Sequence, residues 1–199
     1  MNGAGRASFP VLEEVINPRP FFLRWAESPQ RTKALRWHIV AAVLLAAVLA
    51  AGSTDEVRTI LADAELNDSG AAVALLAVTL GTFSGLFYML SILVGGLVLA
   101  GMMWVVGCPV ALRTALAAWL FVSIPTAVRC YAAVALTGVT GLENARERLQ
   151  PLPFVDPVMI LTTFLLFFAV SAGFGAPTRK AAVVALTMHV VNSLSLTAL

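Results

Sequence analysis

The sequence predicts an all-α fold, a polytopic transmembrane bundle of about five spanning helices. Three observations carry this. Apolar residues make up 59% of the 199 positions and charged residues only 12%, where soluble domains run near half and a quarter. The apolar residues fall in long unbroken stretches without the alternation of a barrel strand. Charges and prolines collect between those stretches. A backbone in lipid has no water to bond, so each such stretch must close its own hydrogen bonds as a helix of roughly 20 residues.

Residues 1–34 form a polar, proline-bearing arm, unlike a cleaved secretory leader, and residues 35–199 the membrane domain. Phe9, Val11, Leu12, Val15 and Ile16 suggest a short amphipathic turn, ended by Asn17-Pro18-Arg19-Pro20. Proline removes an amide donor and restricts the residue before it. Phe21, Phe22 and Trp25 follow beside Arg24. Aromatic and basic side chains together suit the headgroup layer, so this piece is expected to lie on the membrane as an interfacial helix, with these four residues as anchors.

The spans are expected near 35–51, 70–106, 110–136, 155–174 and 181–199. In the first, Ala42, Ala46 and Ala50 recur every four residues and make a smooth stripe. In the second, Gly81 and Gly85 form a GxxxG pair, with Gly95, Gly96 and Gly101 continuing the small face. Small residues let helices approach closely in lipid. The second span is too long for one upright crossing and must tilt strongly or project. Residues 52–69, with Asp55, Glu56, Asp63, Glu65 and Asp68, read as a polar loop. Residues 138–154 read as another, and Arg179 and Lys180 fill a short turn before the last span.

Basic residues set orientation. With the N-terminus inside, Arg6, Arg19, Arg24, Arg31, Lys33, Arg36, Arg113, Arg179 and Lys180 are cytosolic, and Arg58, Arg146 and Arg148 are outside. The expected topology is N-in and C-out. The alanine-rich composition points to a prokaryotic cytoplasmic membrane. A net charge of +2 does not suggest nucleic acid.

Arg129 is the most informative single residue, because an arginine inside a span is costly unless it snorkels or finds a partner. Asp156, Glu143 and Glu147 are the candidate counter-ions. Structural pairing is the first reading, and a site for an anionic lipid or substrate group the second. Pro125, one turn earlier, marks a kink or hinge. His189 and Asn192, a turn apart on the last span, are expected to make interhelical hydrogen bonds or to contribute to a ligand site. Ser84 in Phe83-Ser84-Gly85, with the distant His189, resembles the serine–histidine pair of rhomboid-type intramembrane proteases. Thr82 replaces the glycine expected two residues earlier, and the expected helix count is one short of six. No HExxH or nucleotide-binding motif is present, and neither a metal nor a cofactor is expected. Only Asp156, at a boundary, offers a carboxylate to the spans, which disfavours proton-driven transport. Cys108 and Cys130, 22 residues apart, lie about 33 Å apart if on one helix, far beyond disulfide reach.

The order of these features resembles the Yip-domain family (Ypt/Rab-interacting-protein type). The resemblance covers about residues 15–199: a proline- and aromatic-bearing arm, Ser123-Ile124-Pro125 in the third span, Asp156-Pro157 opening the fourth, and Arg179-Lys180-Ala181-Ala182 leading into the last. The tryptophan often found early in that fourth span is absent, with Met159 and Ile160 near its place. The resemblance implies five spans and a non-enzymatic role. Eukaryotic members act in vesicle traffic with small GTPases, and some prokaryotic members are encoded beside export-type ABC transporters. The expected function is a membrane scaffold or accessory subunit that binds a partner membrane protein, a second copy of itself, or lipid. The alternatives are a transporter or lipid-binding protein with a site near Arg129, and an intramembrane enzyme.

Overall fold

A computed structural model of the chain describes residues 15–27, 31–64, 69–140 and 155–197. The expectations for Phe9, Val11 and Leu12, for Glu65 and Asp68, and for Glu143, Arg146, Glu147 and Arg148 lie outside the described residues. Every regular element described is helical. In chain order these are α1 (Pro18–Glu27), α2 (Arg31–Gly52), α3 (Thr54–Asp63), α4 (Gly70–Val105), α5 (Leu112–Val122), α6 (Ile124–Thr140), α7 (Pro157–Phe168), a π-helical turn (Ala169–Gly173) and α8 (Thr178–Thr197). Helix α2, over Ala34–Gly52, and helix α4 are long and apolar enough to cross a membrane. Helices α5 and α6 make a third crossing if the 41° bend between them belongs to one span. Helix α7 and its π turn form a shorter apolar unit.

The spine is an antiparallel hairpin of α2 and α4. The glycine pair of α4 meets the alanine stripe of α2. A Cβ on Gly81 would run into the Ala46 carbonyl and come within 2.9 Å of the Ala50 methyl, and one on Gly85 would lie 2.8 Å from the Ala42 carbonyl. The missing side chains therefore set the helix separation, and close approach recovers dispersion contacts that lipid tails would otherwise supply. Lower on α4, Gly95 seats the Trp119 indole and Gly96 seats Leu116 of α5. Gly101 does not continue this face: a Cβ there would meet nothing within 4 Å.

Two expectations are corrected, and the bend expected in the third span is located. The loop expected over 52–69 contains α3. Asp55 and Glu56 sit in its first turn, favoured by the helix dipole. Val57 and Leu61, one turn apart, pack on Val73 and Ala77 of α4 in a small second core. The many acids of this stretch conceal that apolar stripe. The third span is not one helix, since the chain breaks at Ser123. Pro125 is the second residue of α6, where its missing amide costs least. The N-terminal prolines likewise begin a helix, with Pro18 in its first position. That helix turns Phe21, Phe22 and Trp25 inward, against Phe121 of α5 and Phe174 beyond the π turn. Three aromatic rings on one helical face gain more from a protein groove lined by other rings than from the headgroup layer. Arg24 stays exposed on the outer face.

Overfilling the seam is the direct test of the hairpin. Gly85→Leu is expected to cost about 1–3 kcal/mol, seen as lower thermal stability in detergent, whereas Gly101→Leu leaves it unchanged.

Candidate functional site

Among the described residues, two polar centres join helices where they end or break. The first is built on His38, which is 0% exposed. Its Nδ1 is 2.8 Å from the Tyr88 hydroxyl of α4, and its Nε2 is 2.8 Å from the Leu120 carbonyl at the end of α5. A carbonyl only accepts, so Nε2 carries the hydrogen and Nδ1 accepts from the tyrosine. The Ser123 hydroxyl donates to the Trp119 carbonyl at 2.6 Å and lies 3.3 Å from His38 Nε2. One imidazole thereby ties α2, α4 and the α5–α6 break together. The break needs such a partner, because α5 ends at Val122 and a carbonyl of its last turn left bare in lipid costs several kcal/mol. Close by on α2 and α6, the Tyr131 hydroxyl donates to the Trp37 carbonyl at 2.6 Å, and the two rings meet edge to face.

The second centre is the Arg129–Asp156 pair. The Arg129 guanidinium of α6 donates to Asp156 Oδ2 at 2.5 Å. Asp156 Oδ1 caps α7, accepting from the amides of Val158 at 2.8 Å and Met159 at 3.3 Å. The aspartate side chain is 0% exposed and the arginine side chain 24%. The sequence Asp156-Pro157 explains the geometry, with a capping carboxylate followed by a proline preset for the first helical position. Each charged group supplies what the other needs to stay buried.

His189 of α8 holds α7. Its Nδ1 is 2.8 Å from the Thr163 hydroxyl, which itself donates to the Met159 carbonyl. Asn192 lies half-buried one turn further along α8. Ser84 donates to the Leu80 carbonyl of its own helix at 3.0 Å, so Ser84 and His189 are engaged with different partners. Cys108 and Cys130 are both free thiols. Among the described residues no group of three or more His, Cys, Asp or Glu side chains is arranged to hold a metal.

Of the residues singled out from sequence, the structure brings Arg129 to Asp156, sets Pro125 immediately after the break, and places His189 on Thr163. It does not join these into one pocket-lining cluster. Sequence reasoning missed His38, Tyr88 and Ser123 as a unit. The available signal was a histidine inside the start of an apolar run, which needs a partner from another helix. Compared with family models, curated proteins and solved structures, the chain matches none.

The two centres predict different losses. Tyr88→Phe removes one hydrogen bond and is expected to cost about 0.6–1.7 kcal/mol. Asp156→Ala removes both the cap and the counter-charge. It is expected to cost about 3 kcal/mol or more, with Asp156→Asn, which retains the cap, falling between. Thermal unfolding in one detergent ranks the three variants.

Proposed function

We propose that this protein is a non-enzymatic membrane scaffold or accessory subunit that holds a partner membrane protein, or a second copy of itself, against the outer face of α4. One observation carries the reading. Helix α4 has 36 residues, about 54 Å at the helical rise, against a hydrocarbon layer of about 30 Å. Even a tilt of about 40° leaves roughly 41 Å to accommodate. Its outward side is apolar along nearly all of that length, from Leu75 and Leu76 through Phe83 and Phe87 to Trp104 and Val105. Beside its first turns, α3 exposes Asp55, Glu56 and Asp63, whose carboxylates do not belong in hydrocarbon. Apolar surface at that level needs a protein cover.

The proposed topology has five crossings: α2, α4, the bent pair α5–α6, α7 with its π turn, and α8. The N-terminus is cytosolic, supported by nine basic residues on that side against three on the other. A Yip-type membrane protein of a prokaryotic cytoplasmic membrane, associated with an export-type transporter, fits this topology. A second reading, an anionic lipid or substrate group held at Arg129, is favoured by the asymmetry of the ion pair, in which the arginine keeps some exposure and the aspartate none.

A photo-crosslinker at Leu76 or Phe83 is expected to yield an adduct of discrete protein mass in intact membranes. Lipid adducts alone at both positions would refute the subunit reading. A C-terminal alkaline phosphatase fusion is expected to be active, and a C-terminal fluorescent fusion dark. The reverse pattern would overturn the topology.

A further inference from the structure

The cytosolic end of the bundle collects positive charge from parts of the chain far apart in sequence. The Lys180 ammonium donates to the Cys108 thiol at 3.7 Å, which brings the start of α8 to the turn between α4 and α5. That turn is open at Gly107, whose φ of +69° suits a residue without a side chain. Arg179 precedes Lys180 on α8, and Arg113 lies in the first turn of α5. Both are exposed. Helix α1, carrying exposed Arg19, packs its Phe22 and Trp25 beside Gly173, just before the same turn into α8.

Arg113, Arg179 and Lys180 therefore lie where α4 turns into α5 and α8 begins, with Arg19 on the helix docked next to that end. The carboxylates among the described side chains lie elsewhere: Asp55, Glu56 and Asp63 on α3, and Asp156 at the opposite end of α7. The same elements expose apolar side chains, which we read as a collar: Leu23 on α1, Trp104 and Val105 at the end of α4, Leu112 at the start of α5 and Val183 near the start of α8. Trp104 is 74% exposed. Cations above an apolar collar match the two layers of a lipid leaflet, phosphate outside and acyl chain inside. An acidic soluble protein would satisfy the charges but not the collar.

We infer that this end is a binding surface for anionic phospholipid headgroups, formed by Arg19, Arg113, Arg179 and Lys180 around the Gly107-Cys108-Pro109 turn. It meets the apolar side of α4 only at Trp104 and Val105, at the opposite end of that helix from Leu75, Leu76 and Phe83. The surface selects the negative charge of the headgroup, and the cations act together because each is within reach of the same phosphate layer. Screening by salt weakens it, since all three arginines are exposed.

Trp104 supplies the readout in a Trp37→Phe background, which leaves it the one exposed tryptophan, since Trp25 and Trp119 are buried. Purified full-length protein is placed in vesicles of phosphatidylcholine with increasing phosphatidylglycerol, one or the other lipid carrying brominated acyl chains that quench tryptophan. Brominated phosphatidylglycerol is expected to quench at about fivefold lower mole fraction than brominated phosphatidylcholine. In Arg113→Gln/Arg179→Gln, whose two positions are exposed and outside the core, that preference is expected to fall to within about twofold. Soluble glycerol phosphate in millimolar excess leaves the wild-type preference in place if a lipid surface is the ligand. Equal quenching by both lipids in the wild type, or an undiminished preference in the variant, overturns the proposal. Abolition by glycerol phosphate overturns the lipid assignment in favour of a free phosphate site. Unchanged helix content and elution volume of the variant confirm that folding is intact.

Discussion

A carbonyl released from a helix inside lipid has no water to meet it, and much of this bundle is arranged around one such group. The chain breaks at Ser123, and the Leu120 carbonyl at that break takes its hydrogen bond from His38. His38 is in position only because α2 lies close against α4, with Tyr88 fixing the other ring nitrogen. That closeness depends in turn on the glycines at 81 and 85 opposite Ala42 and Ala46. The seam, the imidazole and the bend form one dependency. Without the seam, the break has no partner. Without the break, α6 does not leave the axis of α5 by 41°.

The bend has a consequence for Arg129. It sets α6 on a new course, and α6 carries the guanidinium to the first turn of α7, where Asp156 already faces inward as a cap. The aspartate does two tasks with two oxygens. One ends the orphaned amides of α7, the other neutralises the arginine. At the other end of α7 the π turn widens the helix where Phe22 and Trp25 of α1 dock. The N-terminal helix is thereby locked onto the bundle by aromatic packing rather than laid on the lipid.

What was legible in the sequence was local or forced. The Ala42–Ala46 and Gly81–Gly85 spacings each repeat within one helix, so both halves of the seam can be read without knowing the fold. Arg129 forces a partner, and few carboxylates are near enough in sequence to serve. The rest depended on distant pairings. His38 and Ser123 are 85 residues apart, and nothing near either one names the other. Val57 and Leu61 become a stripe only once Val73 and Ala77 are opposite them. Phe21, Phe22 and Trp25 beside Arg24 fit a headgroup anchor and a core plug equally well by composition. Phe121 and Phe174, remote in sequence, decide between the two.

The interior polar groups also bear on where recognition can occur. Both nitrogens of His38 are committed, one as acceptor and one as donor. Both oxygens of Asp156 are committed, one to two amides and one to a guanidinium. A ligand entering either centre would first have to displace a bond made in a low-dielectric surrounding, where an abandoned partner is costly. The outer surfaces carry no such commitment. The long apolar side of α4 and the basic end around Gly107 are already presented to their surroundings, and contacts there need no rearrangement of the core. The polar interior thus serves to hold the outer surfaces in one shape.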